Sequence, residues 1–148
     1  MSNSPYPVEV LDENDDDGTM PNNVADLSKH VVGRRIVAID RDARTRGPYE
    51  WSGDVTGTAL VLDNGQRVTL INNGDCCAYT DLEDVILNLD KIDHVITGVG
   101  TTEGYTKWHI YADLGDVAEL TVGWSCGNPF YYGYGFDIVV TPEVETTA

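Results

Sequence analysis

The chain has 148 residues and a formal net charge of −16, long enough for one domain with a core that needs no disulfide or metal staple. An acidic surface repels nucleic-acid phosphates and anionic membranes at long range, and there is neither an apolar run of membrane-spanning length nor a signal-peptide pattern. Three cysteines cannot form a closed disulfide set and suit a reducing compartment; the composition points to a protein of the cytoplasm.

Residues 1–28 hold seven acids and no base, which leaves −9 for residues 29–148. Residues 1–23 combine acids, Asn, Ser and Pro with few large apolar groups, so they are expected to form a disordered acidic tail. The domain proper is expected over 24–140, with a C-terminal tail at 141–148. Val24–Val32 reads as a turn or short helix and Ile36–Ile39 as a first strand. Asp42–Gly57 is too long for an ordinary connection, so it is either a functional loop or a missed strand. Five of the nine bases (Arg34, Arg35, Arg41, Arg44, Arg46) fall within thirteen residues, which allows one local cationic patch.

Ala59–Leu62 and Arg67–Ile71 flank Asp63-Asn64-Gly65-Gln66, a hairpin for which Asn-Gly suggests a type I′ turn. Asn72 to Asp84 then reads as a junction. Thr80 and Glu83 have capping-box spacing, and Leu82, Val85, Ile86 and Leu89 follow at i, i+3, i+4 and i+7, so a helix is expected near residues 81–90. His94–Thr97 begins another strand, which ends in a polar turn region at Gly98–Gly104. Tyr105–Asp113 alternates, with Trp108, Ile110 and Ala112 facing one way and Lys107, His109 and Tyr111 the other. Leu120, Val122 and Trp124 continue the buried face, and Tyr131–Val140 supplies the last strand. The sum is a single α+β domain: a curved, mainly antiparallel sheet of about six short strands with one helix.

Two stretches carry unusual residues. Cys76-Cys77 lacks the Cys-x2–4-Cys spacing of a zinc site, and no histidine lies at matching short distance; burial, a reactive thiol and a metal site that borrows Cys126, His94 or His109 through the fold are the alternatives. His109, on the polar strand face, is expected to be solvent-exposed. Gly127–Phe136 interleaves five aromatics with glycines, either as a stacking platform or as a glycine-broken strand whose rings pack inward. The residues singled out for binding are Asn73, Asp75, Cys76 and Cys77 in the first stretch and Asn128, Tyr131, Tyr132 and Tyr134 in the second. The two stretches are expected to share one end of the sheet. No catalytic triad, nucleotide loop, metal set or cofactor motif occurs.

Gly74-Asp75-Cys76-Cys77, Asp81–Val85, Trp108-His109-Ile110-Tyr111, and Leu120–Trp124 followed by Gly127-Asn128 and Tyr131-Tyr132 come in that order. With this frame, residues 34–140 resemble a family of small uncharacterised domains encoded mainly by bacteriophages and their bacterial hosts. The chain departs from the frame in placing Asn128-Pro129-Phe130 between the glycine and the paired tyrosines. The resemblance implies a phage accessory setting in the host cytoplasm and assigns no catalytic residue. The expected function is therefore non-enzymatic binding of a host protein or of a small ligand such as a nucleotide, with DNA, RNA and membranes disfavoured as partners and the oligomeric state left open. The alternatives are a small enzyme using Cys76 or Cys77 as nucleophile with Asp75 or His109 assisting, and a virion or assembly component.

Overall fold

In the computed structural model, residues 6, 7, 9, 19–46, 53–74, 78–125 and 135–141 are described. Helix α1 (Thr19–Val31) is followed by nine strands: β1 (Ile36–Arg46), β2 (Asp54–Leu62), β3 (Arg67–Ile71), β4 (Asn73–Gly74), β5 (Tyr79–Leu87), β6 (Gly98–Thr102), β7 (Lys107–Ala112), β8 (Gly115–Ser125) and β9 (Asp137–Thr141). They form two open antiparallel sheets, ordered β1-β2-β3-β9 and β4-β5-β8-β7-β6. The chain is a single α+β domain whose architecture is two sheets rather than the expected single one.

Both sheets and the helix contribute to one core. Leu60, Leu62, Val68 and Leu70 come from the first sheet, Trp108, Ile110, Leu120 and Val122 from the second, and Met20, Leu27 and Val31 from α1. The helical residues recur at i, i+7 and i+11, one stripe of a 3.6-residue period. Trp108 is fully buried and meets Phe136 edge-on at a centroid separation of 5.4 Å. Its indole N–H donates to the Tyr105 carbonyl at 2.9 Å, which satisfies the ring's polar edge inside the core.

The expected helix near residues 81–90 is strand β5, paired over eight residues with β8. A register shift between Leu82 and Asp84 explains the misreading. Thr80 and Leu82 face inward, one extra residue is accommodated, and Val85 and Leu87 pack against the core thereafter. A bulge thus produces the i, i+3 spacing from Leu82 to Val85 that a helix would also give. Thr80 is no cap: it is fully buried, and its hydroxyl accepts from the Gly135 amide at 2.6 Å.

Other boundaries move for related reasons. The Asp42–Gly57 connection is mostly the missed ends of β1 and β2. Gly98–Gly104, read as a turn, is mainly edge strand β6. The β2–β3 hairpin is present, but Gly65 has a positive φ of 86° and Asn64 does not, which is incompatible with a type I′ turn. The expected tail boundary at 23/24 falls inside α1, and Tyr6 and Glu9 of the same tail are bonded to the second sheet.

The inward and outward positions of β5 and β7 make a direct test. Trp108→Ala is expected to cost about 3–5 kcal/mol of unfolding free energy. Ile86→Ala, at an outward position that is 55 % exposed, should stay within about 0.5 kcal/mol. Denaturant unfolding of both variants checks this. A large loss at Ile86 would restore the helical stripe in which that residue faces the core.

Candidate functional site: a histidine and two carboxylates beneath Tyr6

The outer face of the five-stranded sheet carries a polar cluster of His109, Asp116 and Glu119. Strand β7 alternates so that Lys107, His109 and Tyr111 leave the core face, and β8 supplies the carboxylates opposite them. Asp116 and Glu119 are three apart, a spacing that would put them on opposite faces of a regular strand. A register shift between Ile110 and Tyr111 in the β7–β8 ladder lets Val117 and Ala118 both turn inward. Asp116 and Glu119 therefore emerge on the same face.

His109 is only 7 % exposed, contrary to its expected place in solvent. Its Nδ1 lies 2.8 Å from Asp116 Oδ2 and its Nε2 lies 2.8 Å from Thr102 Oγ1. An ionised carboxylate only accepts, so in the neutral ring the proton belongs on Nδ1 and the threonine hydroxyl donates to Nε2. The Tyr6 ring stacks on the imidazole at 4.2 Å and 12°, and its hydroxyl donates to Asp116 Oδ1 at 2.5 Å. One carboxylate thus orders two aromatic rings that are far apart in sequence. Burial first, then the hydrogen bond to Asp116 and the nearby charges of Asp116 and Glu119, hold the Tyr6 phenol well above its ordinary value.

Glu119 is less committed. Its oxygens lie 3.6 Å from His109 Nδ1 and 3.7 Å from Lys107 Nζ, both beyond hydrogen-bonding distance, while Lys107 donates to Thr121 Oγ1 at 2.9 Å. Asp116 and Glu119 also form the floor of an open cleft of about 450 Å³ whose wall includes Ile86, Asn88, Leu89 and Asp90. Leu89 is 72 % exposed, so the cleft combines carboxylates with bare aliphatic surface. The ligand atoms of His109, Asp116 and Glu119 fall within 4.8 Å of one another, close enough to share one metal ion. Lys107 already supplies positive charge 3.7 Å from Glu119.

Of the sequence-selected binding residues, Asn73 is described; Asp75, Cys76, Cys77, Asn128, Tyr131, Tyr132 and Tyr134 lie outside the described residues. Asn73 Nδ2 donates to the Gly135 carbonyl at 3.2 Å, which brings the flanks of the two stretches together. That end of the sheet is remote from His109. Tyr79 pairs with Ser125 and His109 with Glu119, six residues apart along β8, or roughly 20 Å at strand rise. The His109 cluster escaped the sequence reading because a bulge hid the shared face of its carboxylates. The available signal was the pair Gly98 and Gly100 in a β-rich stretch, since glycine inside a strand marks close approach by another group.

A family model described as a domain of unknown function (DUF7448) matches residues 29–138. The chain belongs to this family. The match spans β1 to β8 and most of the core, so the His109 cluster lies within the family domain, whereas Tyr6 precedes it. No curated protein and no solved structure matches the chain, and no helix among the described residues is long and apolar enough to cross a membrane.

The raised Tyr6 phenol sets a pH test. Because the folded state favours the neutral phenol, the stabilisation from its docking is complete below the free-tyrosine value of about 10. It is lost as pH climbs through the raised value. The tyrosinate absorbance of wild type minus Tyr6→Phe should titrate with a midpoint above that of free tyrosine. A midpoint at the free value would mean that the phenol does not sit on Asp116.

Proposed function

We propose that this DUF7448 protein is a non-enzymatic binding protein, a phage-type accessory factor that engages a host protein in the host cytoplasm. The observation that carries the reading is the cleft whose lining combines the carboxylates of Asp116, Glu119 and Asp90 with the exposed aliphatic groups of Ile86 and Leu89. A lysine or arginine fits this combination, because its methylene stem covers apolar surface while its charged head reaches a carboxylate. The matching partner is a basic segment of another protein. The net charge of −16 favours such a partner over nucleic acid and speeds the encounter.

The enzyme alternative has less support. Both ring nitrogens of His109 are already bonded, and Ala78, the first described residue after Cys77, lies at the Tyr79–Ser125 end of the β5–β8 ladder, remote from His109. A second binding surface is favoured by the Asn73–Gly135 bond. There Asn73, Asp75, Cys76 and Cys77 would act with Asn128, Tyr131, Tyr132 and Tyr134. A small-ligand form of that reading would stack a base on the tyrosines and meet phosphate with the exposed Arg41 and Arg44.

Titration of isotope-labelled protein with a lysine-rich, leucine-containing peptide tests the leading reading. Saturable amide shifts are expected at Asn88, Asp90, Asp116 and Glu119. Glu119→Gln should weaken binding about tenfold, equivalent to ~1.4 kcal/mol, and added salt should weaken it further. Shifts confined to other surfaces, or an affinity indifferent to Glu119, would contradict the reading.

A further inference from the structure

Tyr6 and Glu9 occupy a seat to which β6, β7, β8 and the turn between β6 and β7 contribute His109, Tyr111, Asp116, Gly100 and the amides of Gly104 and Tyr105. Tyr6 lies between His109 and Tyr111, stacked on the first and tilted at 54° to the second with a centroid separation of 5.7 Å. The ring also lies over Gly100, where a Cβ would come within 2.6 Å of Tyr6 Cβ. The strand is bare at the point where the ring needs room.

The Glu9 end is built separately. Glu103, Gly104 and Tyr105 have consecutive positive φ values of 57°, 69° and 63°, which two of the three adopt against their intrinsic preference. Successive amides in such a turn converge on one point and make an anion nest. The Gly104 and Tyr105 amides donate to the two Glu9 carboxylate oxygens at 2.7 and 3.0 Å. The Trp124 indole donates to the Gly104 carbonyl and the Trp108 indole to the Tyr105 carbonyl, each at 2.9 Å. These bonds brace the turn from the core side and involve neither Tyr6 nor Glu9.

We propose that this seat is a peptide-recognition site, occupied in this chain by its own N-terminal segment, which takes a peptide carrying a tyrosine and, three residues later, a carboxylate; a second copy of the chain, with the same segment, is the partner that supplies it. The ring slot, the Asp116 acceptor and the nest recognise different chemistry, so together they select a spacing as well as two side chains. Residues 10–18 connect Glu9 to α1. Nine fully extended residues span at most about 30 Å, which bounds how far from α1 the segment can be delivered. Its own tether gives the resident segment a high effective concentration, so exchange needs the resident to be displaced. The seat adjoins the basic-segment cleft and shares Asp116 with it, yet it stands on separate observations.

Two full-length variants test the proposal by complementation. Tyr6→Ala/Glu9→Ala leaves the seat open and removes the segment that fills it. Gly100→Ala fills the ring slot and frees an intact segment. Each alone is expected to sediment as a monomer at about 100 μM, a concentration at which a contact of ~5 kcal/mol would be half-populated. An equimolar mixture should show a heterodimer. Wild-type chains, with filled seats, should show far less. Should Gly100→Ala fail to fold by circular dichroism, a labelled peptide of residues 3–12 replaces it; it should bind the Tyr6→Ala/Glu9→Ala protein saturably and lose at least tenfold in affinity when its own tyrosine or glutamate is changed to alanine. A folded pair that stays monomeric on mixing, or a peptide that binds equally well without its tyrosine, overturns the proposal.

Discussion

The carboxylate of Asp116 is the constraint on which the outer face of the second sheet depends. It accepts from the Tyr6 hydroxyl on one oxygen and faces His109 Nδ1 with the other. Hydrogen bonds to a charged group contribute roughly 1.5–3 kcal/mol each. A residue without polar side-chain atoms at 116, such as alanine, would therefore leave a nearly buried imidazole without its orienting partner and a stacked phenol without an acceptor. The geometry originates in the backbone: the register shift that turns Val117 and Ala118 inward is what presents Asp116 and Glu119 together. Sequence, backbone irregularity, polar network and surface cleft are linked through that one displaced residue.

The same device explains where the fold was legible from residues and where it was not. Regular alternation read correctly: Trp108, Ile110 and Ala112 face the core, and so do Leu120 and Val122. The Asp63–Gln66 hairpin was found because its flanks are strongly β-forming, even though its turn is of another type. Strand β5 was mistaken for a helix because its bulge converts a period of two into a local step of three, and periodicity cannot distinguish these without the partner strand. Its pairing with β8 overrides the capping signal of Thr80 and Glu83. Strand β6 was hidden by Gly98 and Gly100, whose missing side chains make room for Tyr111 and Tyr6.

Candidate sites follow the same division. Asn73 and its neighbours were chosen for local composition, which a sequence displays directly. The His109 cluster joins residues 6, 102, 109, 116 and 119 by tertiary contact and a bulge, and neither is written in any local pattern. A tail expected to be disordered because it has few large apolar groups also holds two specifically placed side chains, Tyr6 and Glu9. Composition describes the average behaviour of such a segment and is silent about individual anchors.

The central claim is that Tyr6 and His109 are coupled through Asp116 into one polar unit on this face. A double-mutant cycle on unfolding free energy, with Tyr6→Phe and His109→Gln made singly and together, measures that coupling most directly. The expected result is a coupling energy of about 1 kcal/mol or more, with the second substitution costing less once the first has been made. Strict additivity of the two losses would contradict the account, because it would mean that the Tyr6 hydroxyl and the imidazole contribute independently and that Asp116 does not join them.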